Sequence, residues 1–117
     1  MKSLREKLIL LLLIIKESNS NEIAIKIRGN GNQKLLSDEY QNQLPNKIII
    51  DGNEQDFENK IISLTQDINI ITLKWNENIL TNCSAMFKDL INIIEFDFSQ
   101  FDCSRIIDMS YMFYNCS

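Results

Sequence analysis

Histidine does not occur anywhere in the 117 residues. Its absence removes the commonest general base near neutral pH, every Ser–His or Cys–His nucleophile pair, and most zinc sites. Glycine is scarce, at three residues, and proline occurs once, at Pro45. A glycine-rich loop that cradles phosphates is therefore nearly excluded. The cysteines are an odd set, Cys83, Cys103 and Cys116, and none forms a Cys-x-x-Cys pair. With histidine also missing, no metal site and no cofactor are expected. In a secreted chain at least one thiol would lack an internal partner; the alternative is that all three are small core or surface residues. Positive charge is short as well, with 12 basic against 16 acidic residues and a net charge of -4. An acidic body repels phosphate backbones and is not drawn to anionic lipid, so nucleic acid and membrane surfaces are not expected partners.

What is present is an ordinary globular composition, 44% apolar and 24% charged, in a length of one domain or a fragment of something longer. The N-terminus has a different character. Residues 1–7 are basic, residues 8–15 are an unbroken apolar run, and Ser18 and Ser20 then stand two apart, as a small-x-small cleavage signal requires. Residues 1–20 are therefore expected to be a signal peptide. The run is too short to span a bilayer, which takes roughly 20 apolar residues. The competing reading is a buried helix with Leu4, Leu8, Leu11 and Leu12 on one face. Asparagine (14) and isoleucine (20) are abundant, in keeping with A/T-rich codons. Two sequons, at Asn82 and Asn115, carry meaning only in a secretory context.

Residues 21–66 read as a small N-terminal β cap. Ile23, Ile25 and Ile27 alternate with polar or small residues, the period of a half-buried strand. Residues 29–32 (Gly-Asn-Gly-Asn) form a turn signal, after which Lys34 to Leu36 is the expected partner strand. The run 47–50 ends at Asp51-Gly52, a tight-turn pair, and residues 57–64 are expected to pair back.

Residues 67–117 contain two frames that recur. Ile68-Asn-Ile-Ile71-Thr-Leu73-Lys-Trp-Asn76 matches Ile93-Ile-Glu-Phe96-Asp-Phe98-Ser-Gln-Phe101, and Asn82-Cys-Ser-Ala-Met86-Phe87 matches Asp108-Met-Ser-Tyr-Met112-Phe113. A period in the twenties with an apolar-x-x-apolar-x-apolar core is a leucine-rich repeat signature. Each unit would lay down one strand, with Ile71 and Leu73, then Phe96 and Phe98, pointing inward. A short helical crossing would return Met86 and Phe87, then Met109, Met112 and Phe113, to the same core.

These residues, from Met86-Phe87 through Phe96-Asp97-Phe98-Ser99-Gln100-Phe101-Asp102 to Met112-Phe113 and Cys116, resemble the BspA-type leucine-rich repeat. The resemblance covers one unit (86–111), the start of the next and a degenerate unit before. It implies a right-handed solenoid of parallel strands, so that the whole reads as β-rich (α+β) with a truncated array. It also implies a secreted or surface-exposed protein, adhesion or other contact with protein or glycan, and no catalytic activity. The family places cysteine where Leu90 stands; Phe101 occupies the slot where ordinary leucine-rich repeats place an asparagine, which Asn76 retains, so Asp102 or Ser104 is expected to satisfy the turn amides.

In that architecture the outward strand residues Ile70, Thr72, Lys74, Glu95, Asp97 and Ser99 form a concave binding face. Each is equally read as a solvated strand position, and Lys74 with Asp97 as a weak exposed pair. The carboxylates Glu95, Asp97 and Asp102 lack the glycine of a calcium loop. Cys83 aligns with Met109 and Cys116 with Leu90, which places both thiols inward without a bridge between them. Trp75 reads as packing at a strand end. The rival functions are an intracellular scaffold fragment whose N-terminal helix is retained in the cytoplasm, and, more remotely, an enzyme fragment. Self-association through an uncapped C-terminal edge is a further expectation.

Overall fold

The computed structural model describes residues 20–77 and 79–116. Apart from Ser20, the expected signal peptide lies outside the described residues. Seven strands follow one another: β1 (Asn21–Arg28), β2 (Gly31–Lys34), β3 (Lys47–Ile50), β4 (Asn53–Asp56), β5 (Ile61–Leu64), β6 (Ile68–Trp75) and β7 (Ile93–Asp97). Five form one sheet in the order β4-β3-β6-β1-β7, and β2 pairs with β5 in a second, two-stranded sheet. Every strand pair is antiparallel.

The sheet is built around β1 and β6, the two eight-residue strands. They pair along their full length, from Asn21 opposite Trp75 to Arg28 opposite Ile68. Period-2 alternation puts Ile23, Ile25 and Ile27 on one face of β1, and Ile71, Leu73 and Trp75 on the same face of β6, all buried. Ile48 of β3 and Ile93 of β7 extend this face on either side. Leu35, Leu36, Tyr40, Leu64, Leu80, Cys83, Met86, Phe87, Leu90 and Met112 belong to the same buried cluster. At roughly 1.5–3 kcal/mol for each large side chain removed from water, this one core dominates the fold.

This architecture corrects the expected one. There is no solenoid, and among the described residues there is no helix, so the α+β assignment fails with it. The strands 68–75 and 93–97 do run in the same direction, but β1 lies between them and pairs antiparallel with both. The physical reason is that β1 carries three buried isoleucines at the cadence of Ile71 and Leu73. It is the better neighbour for each strand, and its insertion draws 21–28 and 67–97 into one sheet. The helical crossing is replaced by turns at 84–89 and 91–92.

Two local pairings also differ from expectation. The Gly29–Gly31 turn leads into β2, whose partner is β5 and not β1. At Asp51-Gly52 both residues have positive φ, 48° and 90°, which suits a two-residue hairpin turn, and the returning strand is 53–56. The start of β1 is locked to the turn after β7. The buried Asn21 side chain donates to the Asp102 carbonyl at 3.0 Å and accepts from the Asp102 N–H at 2.6 Å. Asp102 in turn accepts from the Ser104 N–H at 2.9 Å.

Candidate interaction surface

The outward face of the large sheet holds most of the residues expected to bind. Ile70 stands opposite Lys26 and Lys26 opposite Glu95; Thr72 stands opposite Ala24 and Ala24 opposite Asp97. Ile70, Thr72, Lys74, Glu95 and Asp97 thus share one face, but as two rows separated by β1. Ser99 lies beyond β7, where its N–H donates to the Asp97 carboxylate at 2.9 Å. A hydrogen bond from the Ser99 hydroxyl, and with it this backbone bond, holds the Asp97 carboxyl below the usual carboxylate range. Lys74 and Asp97 do not pair. Lys74 lies 3.7 Å from Glu54, Lys26 is 2.9 Å from Glu95, and Lys47 pairs with Asp56. The lysines of this face are occupied with its carboxylates, and Ile68 and Ile70 stand two residues apart on β6 among them.

A second surface is built by 82–90 and 108–116. These segments lie side by side in parallel as two rungs, with the isolated parallel bridge Asn82–Asp108 at their start. The N–H groups of Cys83, Ala85, Phe87 and Asp89 donate to the carbonyls of Asp108, Ser110, Met112 and Tyr114 at 2.8, 2.9, 3.0 and 2.9 Å. Residues 26 apart occupy equivalent places. The Ser84 and Ser110 hydroxyls are 3.3 Å apart, and the Asn115 side chain donates to Asp89 at 3.0 Å. Each rung opens with an Asx turn: the Ser84 N–H donates to Asn82 and the Ser110 N–H to Asp108, both at 2.8 Å. Both rungs use left-handed backbone at the same steps, Ala85 (φ 60°) with Tyr111 (57°) and Asp89 (65°) with Asn115 (56°).

The rungs differ in what covers them. In the first, Cys83, Met86 and Phe87 are fully buried, and the Met86 carbonyl accepts from the Ser37 N–H at 2.8 Å. In the second only Met112 is. Met109 and Phe113, expected inside, are each 44% exposed; Phe96 and Phe98 are partly buried against the core. Ile107 (86%), Tyr111 (63%) and Tyr114 (58%) are more exposed still. Phe113 backs onto an aromatic cluster, 5.0 Å from Phe96, 5.7 Å from Phe98 and 6.2 Å from Phe87 between ring centroids. Tyr111 meets Tyr114 edge-on at 5.8 Å, and the Lys88 ammonium lies 5.6 Å from the Tyr114 ring centre. The result is a ledge of five large exposed apolar side chains within eight residues, of which Phe113 is seated on the aromatic cluster. Ile107, Tyr111 and Tyr114 were not among the candidates drawn from the sequence. The signal was there in the density of large apolar residues between 106 and 114, but a repeat reading assigns such residues to the interior.

All three thiols are free. Burial pushes the Cys83 thiol up to about 11, and the Cys116 thiol donates to the Phe87 carbonyl at 2.8 Å. Trp75 is fully buried, and its indole N–H donates to the Gln43 carbonyl at 2.9 Å. A polar groove between 33–39 and 88–93 has its lysines engaged, Lys34 with Asp38 and Lys88 with Glu39. Among the described residues no helix is long and apolar enough to cross a membrane. Compared with family models, curated proteins and solved structures, the chain matches none.

Proposed function

We propose that this chain is a non-catalytic polypeptide-binding module that works outside the cell or on its surface, with the ledge 107–114 as its contact surface. The observation that carries the proposal is the concentration of exposed Ile107, Met109, Tyr111, Phe113 and Tyr114 on one segment. Scattered exposed apolar residues are normal, whereas a contiguous patch is a usual mark of a contact site. Its composition fits as well, because tyrosine, phenylalanine and methionine are the types enriched at the centres of interfaces. The basic-then-apolar N-terminus supports an extracellular setting. The resemblance of 86–117 to BspA-type repeats supports a role in contacts, although the chain folds as an antiparallel sheet and not as that family's solenoid.

The test is to pan a library of random short peptides against the full chain. Enriched peptides are expected to bind, and to lose at least roughly tenfold in affinity to a Tyr111→Ser/Tyr114→Ser variant that keeps the native circular dichroism spectrum. Failure to enrich any peptide, or peptides that bind the variant equally well, would remove the ledge as the contact surface. Clear turnover in a hydrolase screen would overturn the non-catalytic reading.

A further inference from the structure

We propose that the open edge of the second rung binds a polypeptide segment in parallel, through the backbone N–H groups of Met109, Tyr111, Phe113 and Asn115. This rests on the polypeptide-binding reading above and names what that surface recognises. By the 26-residue correspondence, these four residues stand where Cys83, Ala85, Phe87 and Asp89 stand in the first rung. There the N–H groups all donate to carbonyls of the neighbouring rung. In the second rung none of the four has an acceptor among the described residues. Four donors at two-residue intervals, flanked by exposed aromatic side chains, form a template for an added backbone.

From Asp108 to Tyr114 every carbonyl but that of Phe113 has a donor among the described residues, so the edge offers mainly donors, and that selects the occupant. The carbonyls of Met109 and Tyr111 are taken internally, by the N–H groups of Met112 and Tyr114, both at 3.2 Å. Those of Asp108, Ser110, Met112 and Tyr114 already serve the first rung. An ordinary antiparallel strand, which offers donors and acceptors alternately along one edge, would face four donors with some of its own. Two copies of this edge would likewise set donor against donor. The segment that fits must offer carbonyls alone at every second residue while turning its own N–H groups inward.

The second rung shows what such a segment is, since it docks on the first in this way. Its Ser110 N–H is turned to the Asp108 carboxylate and its Met112 and Tyr114 N–H groups to its own carbonyls. The two rungs share the frame Asx-x-Ser-x-Met-Phe-x-Asx, read from Asn82 to Asp89 and from Asp108 to Asn115. The first Asx makes the turn that occupies the serine N–H, and the last supplies a residue that tolerates positive φ. The occupant is therefore a segment that carries this frame and is not already stacked. A second folded copy does not qualify: its Asp108, Ser110, Met112 and Tyr114 carbonyls are bonded to its own first rung, and its Met86 carbonyl is held by Ser37.

The test titrates the full chain with a synthetic peptide of residues 107–116 carrying Cys116→Ser, and follows amide hydrogen exchange by NMR. The amides of Met109, Tyr111, Phe113 and Asn115 are expected to exchange fast in the free chain and to slow by roughly tenfold or more with saturating peptide, while those of Cys83, Ala85, Phe87 and Asp89 are protected throughout. A peptide with Ser-Ser in place of Met-Phe is expected to give no protection. Replacing the Phe113 amide by an ester, through ligation at Cys103, keeps the side chain and is expected to weaken binding by roughly tenfold. Absence of binding at millimolar peptide, protection elsewhere, or protection of the same four amides by raising the concentration of the chain alone would overturn the proposal. If this peptide fails while panned peptides still depend on Tyr111 and Tyr114, only the frame-specific proposal falls. If both fail, the polypeptide-binding reading falls too.

Discussion

Truncating Met112 tests whether the second rung is a separable unit. Met112 is the one fully buried side chain of 107–116, and it stands 26 residues from Met86, which is fully buried in the first rung. Met112→Ala removes about three methylene-sized groups, worth about 0.8 kcal/mol each by transfer; the cavity left behind raises the cost to about 3 kcal/mol. The remaining fastening includes the four rung-to-rung backbone hydrogen bonds and one from the Ile107 N–H to the Thr81 carbonyl, about 1 kcal/mol each, with the Asn115–Asp89 and Cys116–Phe87 bonds and the half-exposed Phe113 beside them. The loss falls on a local opening, not on the β1–β6 core, which Met112 does not help to pair. Since about 1.4 kcal/mol is a factor of ten, exchange of the Cys83, Ala85, Phe87 and Asp89 amides should accelerate roughly a hundredfold. The Ile25 and Leu73 amides should change far less. Equal acceleration in β1 and β6 would mean that the rungs and the sheet open as one unit, and no acceleration anywhere would mean that Met112 does not anchor the rung.

Two further outcomes follow from the electrostatics. Hydrogen bonds from the Ser110 hydroxyl and N–H hold the Asp108 carboxyl below the usual carboxylate range. A lowered value in the folded state means that this stabilisation is present above the unfolded-chain value and is lost as pH falls through the folded one. The rung should therefore loosen below about pH 4. Asp108→Asn, the residue type of the first rung at Asn82, should keep the Asx turn and flatten that acid response in amide exchange; an unchanged response would place the sensitive carboxylate elsewhere. The cysteines should react with a thiol reagent in the order Cys103, Cys116, Cys83. Cys103 is exposed, whereas Cys83 is buried and pushed up to about 11 by desolvation, so it should be modified only on unfolding. Modification of Cys83 in the native chain as fast as Cys103 would contradict the burial of the first rung.

The parts of the fold that were legible in the sequence are those set by one short stretch. The alternation at Ile23, Ile25 and Ile27 marks a half-buried strand, and β1 is one. Asp51-Gly52 marks a tight turn, and the chain reverses there. Neighbour relations were not legible. The frame at 68–76 and again at 93–101 says which side chains face inward, but period-2 logic is silent on which strand lies beside which. Two strands with similar patterns invite direct parallel pairing, and only β1, some forty residues upstream of β6, decides otherwise. The surface residues were misplaced for a related reason. Met109 and Phe113 resemble Cys83 and Phe87 in sequence, yet the covering differs: the Ser37 N–H reaches the Met86 carbonyl of the first rung from some fifty residues upstream, whereas the Met112 carbonyl accepts from the Phe87 N–H of the first rung.

That difference in cover also bears on function. Two rungs of nearly one sequence frame, one sealed and one open, are chemically equivalent templates in unequal surroundings. The first shows what its donors do when an acceptor is supplied: Cys83, Ala85, Phe87 and Asp89 each take a carbonyl at 2.8–3.0 Å. The second presents the same donor spacing beside Tyr111, Phe113 and Tyr114, side chains that lose little entropy when they are covered. An unpaired strand edge flanked by apolar groups is a liability that folded chains ordinarily blunt with charge, proline or a bulge. Between Met109 and Cys116 none of these devices is present; the segment contains no lysine, arginine, aspartate, glutamate or proline. This is the edge to which we assign the added backbone, beside the packed Phe87–Phe96–Phe98 cluster.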